Sequence, residues 1–232
     1  MGLRGPKSKK KVEISWSHDF AYAVGLIVSD GCLYRTGRYI CFTSKDKEQI
    51  DNFQKALNLN IPIGVNYSGY KNSMAYRVQF SDMYLWNFLN DIGIYPNKSK
   101  TIGSVKIPDK YFFDFLRGVF DGDGSIYSYY DKRWRSSFLF YLSFSSASNK
   151  FIAWLQKTIK LKLDINGHVD NPKKKSCEQL KYAKKEALVL IDSMYNKNAK
   201  LFLSRKKLKI DHILDTMRKH IDKYLSLNDR YY

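Results

Sequence analysis

The chain has 232 residues, enough for one large domain or for two of about 110 residues that each bury a core. Hydrophobic residues make up 44% and aromatic residues 16%, with 18 Tyr, 14 Phe and 4 Trp, which excludes general disorder. A net charge of +18, from 40 Lys and Arg against 22 Asp and Glu, calls for a polyanionic partner, and nucleic acid leads because neutralised phosphates release counterions.

No apolar run approaches the ~18 residues of a spanning helix and no signal-peptide pattern opens the chain, so a membrane partner is not expected. Cys32, Cys41 and Cys177 are odd in number and lack metal-ligand spacing, which disfavours a disulfide framework or zinc site and fits an intracellular location.

Residues 1–14 read as a flexible basic arm. Ser17 then caps a helix carrying Phe20, Ala21, Val24, Leu26, Ile27 and Val28, too apolar for a surface position, and Gly31 stops it. Two alternating runs, 32–35 and 38–43, form a hairpin about Thr36 and Gly37, with Tyr39, Cys41 and Thr43 on one face and Ile40 and Phe42 on the other. An amphipathic helix over 45–57, a second hairpin over 61–80 and a helix over 82–92 complete a first repeat, 15–94. Residues 95–108 are irregular and link the halves.

The programme then recurs over 109–232. Asp109 is expected to cap a helix rich in Phe112, Phe113, Phe115, Leu116, Val119 and Phe120 that ends at Gly124. A hairpin over 125–146, a helix over 149–161, a hairpin reaching about 183 and further helices follow. The fold class is α+β, built from tandem αββαββα repeats.

Two segments carry the chemistry: Ala23-Val-Gly-Leu-Ile-Val-Ser-Asp-Gly31 and Leu116-Arg-Gly-Val-Phe-Asp-Gly-Asp-Gly124. Asp123 stands 93 positions after Asp30, and Gly118 keeps the same offset from Gly25. A glycine inside a helix costs roughly 1 kcal/mol relative to alanine, so two at equivalent places imply a close helix interface. Parallel packing would bring Asp30 and Asp123 together where the helix dipole is negative, and a divalent cation relieves that repulsion. Few carboxylate ligands, with water and phosphate completing the shell, suit Mg²⁺ (or Mn²⁺) and metal-assisted phosphodiester hydrolysis.

These segments resemble the motif of the LAGLIDADG homing endonucleases in their single-chain, two-motif form. The resemblance implies an antiparallel β-saddle on DNA with the two motif helices at its centre. It implies a monomeric, metal-dependent double-strand DNA endonuclease acting at an intron or intergenic insertion locus as a mobile element, with no small-molecule substrate. The last acid of each copy, Asp30 and Asp123, would be the catalytic metal ligand, with Gly31 and Gly124 beside them at the metal. Val28 departs from the acid common at its place, and Asp121, its counterpart, is assigned a structural role. The segment Tyr95-Pro-Asn-Lys-Ser99 resembles the family's Pro-x-Lys-Ser and nominates Lys98 as the basic residue that organises water and stabilises charge in catalysis; Tyr195-Asn-Lys-Asn198 nominates Lys197. Ser44 and Ser146 are expected to line the pocket.

Strand alternation selects the side chains that face DNA: Cys32, Tyr34, Tyr39, Cys41, Thr43, Asn66, Ser68, Arg77 and Gln79 in the first repeat, and Ser125, Tyr127, Tyr129, Tyr141, Ser143, Ser145, Gln179 and Lys181 in the second. Arg35, Arg38, Lys71, Lys132, Arg133, Arg135, Lys173, Lys174 and Lys175 cluster at hairpin turns and would reach phosphates. A saddle of this size covers about 20 base pairs, and the divergence of the two faces implies an asymmetric target. The rival readings are a non-catalytic nucleic-acid binder on the same scaffold, either an intron maturase or a transcription regulator, and an intein-embedded domain. Retention of both aspartates argues against the first, and the lack of a splicing-type start and end against the second.

Overall fold

A computed structural model describes residues 10–67, 74–133, 137–170 and 176–228. Helix α1 (His18–Asp30) starts where Ser17 Oγ accepts the Phe20 N–H at 3.0 Å, satisfying a donor that the first turn leaves without a partner. Residues 20 to 28 of α1 are all buried, so it is a core element rather than a surface helix. After it come β1 (Gly31–Leu33), β2 (Tyr39–Ser44), α2 (Lys47–Ala56), β3 (Gly64–Tyr67), β4 (Met74–Ser81) and α3 (Met83–Asp91). The second half repeats the order with α4 (Phe112–Asp123), β5 (Gly124–Tyr130), β6 (Phe138–Ser146), α5 (Asn149–Leu163), β7 (His168–Asp170), β8 (Glu178–Ala183), α6 (Lys184–Met194) and a long α7 (Ser204–Asn228).

Each half makes an antiparallel four-stranded sheet, in the order β1-β2-β4-β3 and β5-β6-β8-β7. Register sorts the side chains by face. Leu33, Ile40, Phe42, Val78 and Phe80 turn inward in the first sheet, and Ile126, Phe140, Leu142, Phe144, Leu180 and Tyr182 in the second; all are buried. The helices cover these inner faces and form one continuous core with them. Each fully buried Phe or Leu contributes roughly 2 kcal/mol, so a core of this extent can hold two repelling carboxylates at the end of its central helix pair.

Two local expectations are corrected. Asp109 does not cap α4, because it lies in a 3₁₀ turn, Asp109–Tyr111, and its carboxylate pairs with Lys162 of α5 at 2.7 Å. The basic arm is shorter than expected. Val12 is buried, and buried Asp82, the cap of α3, accepts the backbone N–H of Lys11 at 2.7 Å and of Val12 at 3.0 Å. The earlier part of the arm, residues 1–9, lies outside the described residues, as do Ser68, Lys71, Arg135, Lys173, Lys174 and Lys175. Among the described residues, no helix is long and apolar enough to cross a membrane.

Candidate active site

Helices α1 and α4 pack against each other more extensively than any other helix pair. A Cβ on Gly25 would stand 2.2 Å from the Phe115 carbonyl oxygen, and one on Gly118 would stand 2.2 Å from the Tyr22 carbonyl oxygen. No side chain fits between these backbones, which accounts for a glycine in the middle of each helix. Contacts run in the same order along both helices: His18 meets Asp114, Gly25 meets Gly118, and Gly122 lies against Ser29 and Asp30. The helices are therefore parallel, and both C-terminal carboxylates emerge at one end.

Asp30 and Asp123 remain open to solvent on one side while protein crowds the others. That crowding, and then repulsion from Asp123, raises the Asp30 pKa to about 6, although Lys206 and Lys98 pull it down. Burial also raises Asp123, opposed by the same two lysines. The pair thus sits where positive charge is favoured. No cluster of three or more His, Cys, Asp or Glu side chains suited to a metal occurs among the described residues, so a cation here would take two carboxylates and complete its shell with water and phosphate. That donor set fits Mg²⁺ better than a soft transition metal.

The two lysines occupy matching positions. Buried Lys98, in the 3₁₀ turn Lys98–Lys100, donates from Nζ to the Gly31 carbonyl at 2.6 Å; buried Lys206, in the first turn of α7, donates to the Gly124 carbonyl at 2.7 Å and to those of Phe120 and Gly122. Burial lowers both pKa values, that of Lys206 to about 8, against the pull of nearby carboxylates. Two expectations change here. Lys197 is exposed in the turn after α6, and the lysine at the second aspartate is Lys206. The Gly31 and Gly124 carbonyls hold ammonium groups, which suits them poorly to a divalent cation. These glycines are required for space, since a Cβ at either would lie within 2.7 Å of the preceding helical turn.

The repeat offset does not lead to Lys206. This lysine follows Lys98 by 108 positions rather than 93, because the second repeat is longer, with α5 spanning 15 residues against 10 in α2. A usable signal existed in Arg205-Lys-Lys207, three cations at a helix N-terminus, where the dipole disfavours them. The first repeat compensates: Asp46 pairs with Arg205 at 2.8 Å, and Glu48 accepts from the Ser204 backbone at 3.1 Å.

The outer sheet faces collect the residues chosen by alternation. In the first, Cys32, Tyr34, Tyr39, Cys41, Thr43, Asn66, Arg77 and Gln79 share one face. Arg77 Nη2 donates to the Tyr34 hydroxyl at 2.6 Å and also reaches Gln79, while its Nε meets Cys41 Sγ at 3.0 Å. In the second, Ser125, Tyr127, Tyr129, Tyr141, Ser143, Ser145, Gln179 and Lys181 share a face, with the Tyr127 and Tyr129 rings stacked on Tyr141 at 5.5 and 6.2 Å. Cys41 and Ser143 are corrections within these sets: both are buried, under Arg77 and against Ser125 Oγ at 2.9 Å, so neighbours present the surface in their place. Arg35, Arg38, Lys132 and Arg133 are exposed at the hairpin ends, Arg38 over the Tyr39 ring and Arg133 paired with Asp131.

Ser44 lines a recess with Asp30, Thr43, Gln49 and Arg205, and Ser146 lines another with Asp123, Ser29 and Ser145. Each hydroxyl accepts the backbone N–H two residues on, from Asp46 and Ser148, at 3.1 Å.

Asp121, fully buried, accepts the Tyr22 hydroxyl at 2.7 Å and the Leu203 N–H at 2.8 Å. Arg117, also buried, donates to the Leu201 and Met194 carbonyls at 2.9 and 2.6 Å and pairs with Asp114 at 2.9 Å; sequence reasoning gave it no role.

Comparison with known proteins agrees with this architecture. The family model of the LAGLIDADG-like domain matches residues 17–93. An uncharacterised protein of Methanocaldococcus jannaschii is 33% identical over 134 residues, 53% of this chain and 45% of that protein, so the chain spans less than half the length of this relative. Among solved structures, the homing endonuclease I-WcaI bound to its DNA recognition sequence superposes with a TM-score of 0.63 at 17% identity, covering 90% of this chain and 95% of that one. The I-LtrWI LAGLIDADG homing endonuclease bound to target DNA gives 0.61 at 14%, covering 92% and 97%. Full-length DUF199/WhiA from Thermatoga maritima gives 0.56 at 16%, covering 95% and 71%. At these identities the structural likeness concerns the fold. The first repeat thus matches the LAGLIDADG-like domain, and over both repeats the chain has the fold of the LAGLIDADG homing endonucleases, with two motif helices in one chain.

Proposed function

We propose that this protein is a site-specific, metal-dependent double-strand DNA endonuclease of the homing type, acting as a monomer inside the cell on a long asymmetric target. One observation carries the reading: Asp30 and Asp123 are brought together between two polar-faced sheets, each beside a buried lysine of lowered pKa. The fold alone does not decide activity; the residues of the site do. A protein that only binds nucleic acid gains nothing from two crowded carboxylates that burial and repulsion destabilise.

Asp30 and Asp123 would hold Mg²⁺ (or Mn²⁺), which when bound supplies charge neutralisation at phosphate and a more acidic water. The residues of the chain do the remainder. The glycine-packed helices fix the separation of the carboxylates. Lys98 and Lys206, held by carbonyls rather than ion-paired with the acids, stand ready to stabilise phosphate charge or pass a proton. One aspartate and one lysine per repeat provide one centre for each strand. The Arg77 cluster and the tyrosine stack differ between the sheets, which is why the target is asymmetric.

The test is incubation with a library of randomised duplexes in Mg²⁺, followed by sequencing of the ends produced. The expected result is cleavage of both strands at one long sequence, leaving 3′ overhangs. Selective binding without cleavage in Mg²⁺ or Mn²⁺ would replace this reading with that of a non-catalytic nucleic-acid binder.

A further inference from the structure

Lys206 is held in place by an anchorage that the first motif lacks. Between α6 and α7 the chain runs without regular structure, so its buried backbone groups need partners from elsewhere. Arg117 supplies donors for the carbonyls of Met194 and Leu201, and Asp121 supplies an acceptor for the N–H of Leu203. Lys206 follows Leu203 by less than one helical turn, and its ammonium sits on the last carbonyls of α4, the helix that carries both clamp residues. The clamp and the carboxylate Asp123 therefore belong to one rigid element. Lys98 is held differently: its own turn is closed by the N–H groups of Thr101 and Ile102 on the Lys98 carbonyl.

We propose that Arg117 and Asp121 are positioning residues for Lys206, so that cleavage of one DNA strand can be weakened without weakening the other. The proposal rests on the endonuclease reading above. A reacting group displaced by about 1 Å loses on the order of a hundredfold in rate, and loosening the clamp displaces only the lysine of the second repeat.

The experiment compares Arg117→Lys and Asp121→Asn with Lys206→Met and Lys98→Met, well below each variant's Tm, on the selected target with a different dye on each strand. In parallel, the reactivity of each lysine toward an amine-acylating reagent is read by mass spectrometry on the free protein. Both clamp variants are expected to shift the ratio of the two strand-cleavage rates by about tenfold, in the direction of Lys206→Met and opposite to Lys98→Met. Acylation of Lys206 is expected to rise about fivefold while that of Lys98 stays within about twofold. Equal slowing of both strands, or unchanged Lys206 labelling, overturns the proposal. If the parent cuts neither strand, the endonuclease reading fails and labelling alone decides: a selective rise at Lys206 sustains the positioning role, and no rise ends it.

Discussion

The two motif helices occupy equivalent places yet are tied to their surroundings by different chemistry. Where α4 has Asp114, Arg117 and Asp121, α1 has Ala21, Val24 and Val28 at the same offset, and all six side chains are buried. At these three places the first helix is apolar. The second carries a buried polar network, which half-exposed His18 of the first helix meets 2.7 Å from Asp114 and which has the Tyr22 ring under Arg117. The difference follows from what each must hold. The Lys98 segment packs by Ile94, Ile102 and Val105, whereas the Lys206 segment, besides burying Leu203, buries backbone groups that take their donors and acceptor from α4.

Shared geometry comes first among the ways to break this comparison. Gly25→Val and Gly118→Val each drive side chain into backbone, and each is expected to cost more than about 4 kcal/mol and lower Tm by more than about 10 °C. Tolerance of either in thermal denaturation would mean that the helices do not touch there. Arg117→Met leaves two buried carbonyls without their donor and Asp114 with His18 as its remaining partner, at a cost of about 4 kcal/mol, against about 2 kcal/mol for Val24→Ala at the matching place. Equal Tm losses would erase the distinction between an ionic and an apolar helix. At the chemical step, Lys98→Met and Lys206→Met should each slow cleavage of one strand about a hundredfold, with Lys197→Met within about twofold of the parent. A large effect at Lys197 would restore the assignment by spelling.

The smallest effect concerns pH. The folded-state pKa of Asp30 is about 6, above its ordinary value of 3.8, so the folded protein binds the proton more tightly than the unfolded chain. The stability this group contributes is present below about 3.8 and is lost as pH rises through about 6. Asp30→Asn is therefore expected to raise Tm by about 2 °C at pH 7.5 and to leave it unchanged at pH 4. Cleavage by the parent should rise over the same interval, as the carboxylate ionises.

The paired glycines, the two terminal aspartates and the face on which each strand residue lies were legible in the sequence, because each depends on local periodicity or on a repeat offset. Ser17 as a cap was legible for the same reason. Lys206 was not, since its place depends on a segment docked by Arg117, Asp121 and two acids of the other repeat. Lys197 was chosen from a local likeness of letters, which carries no information about where a turn docks. Asp109 misled in the same way: a cap-like residue was claimed by a lysine 53 positions away. Burial of Cys41 and Ser143 depends on side chains from neighbouring strands, which alternation along one strand does not report.

The central claim is that one aspartate per repeat performs the hydrolysis, and single-turnover cleavage of the selected target by Asp30→Asn and Asp123→Asn tests it most directly. Each variant is expected to lose cleavage of one strand by about a thousandfold or more in Mg²⁺, and to bind the duplex within about threefold of the parent. Cleavage of both strands at the parental rate by either variant would contradict the account.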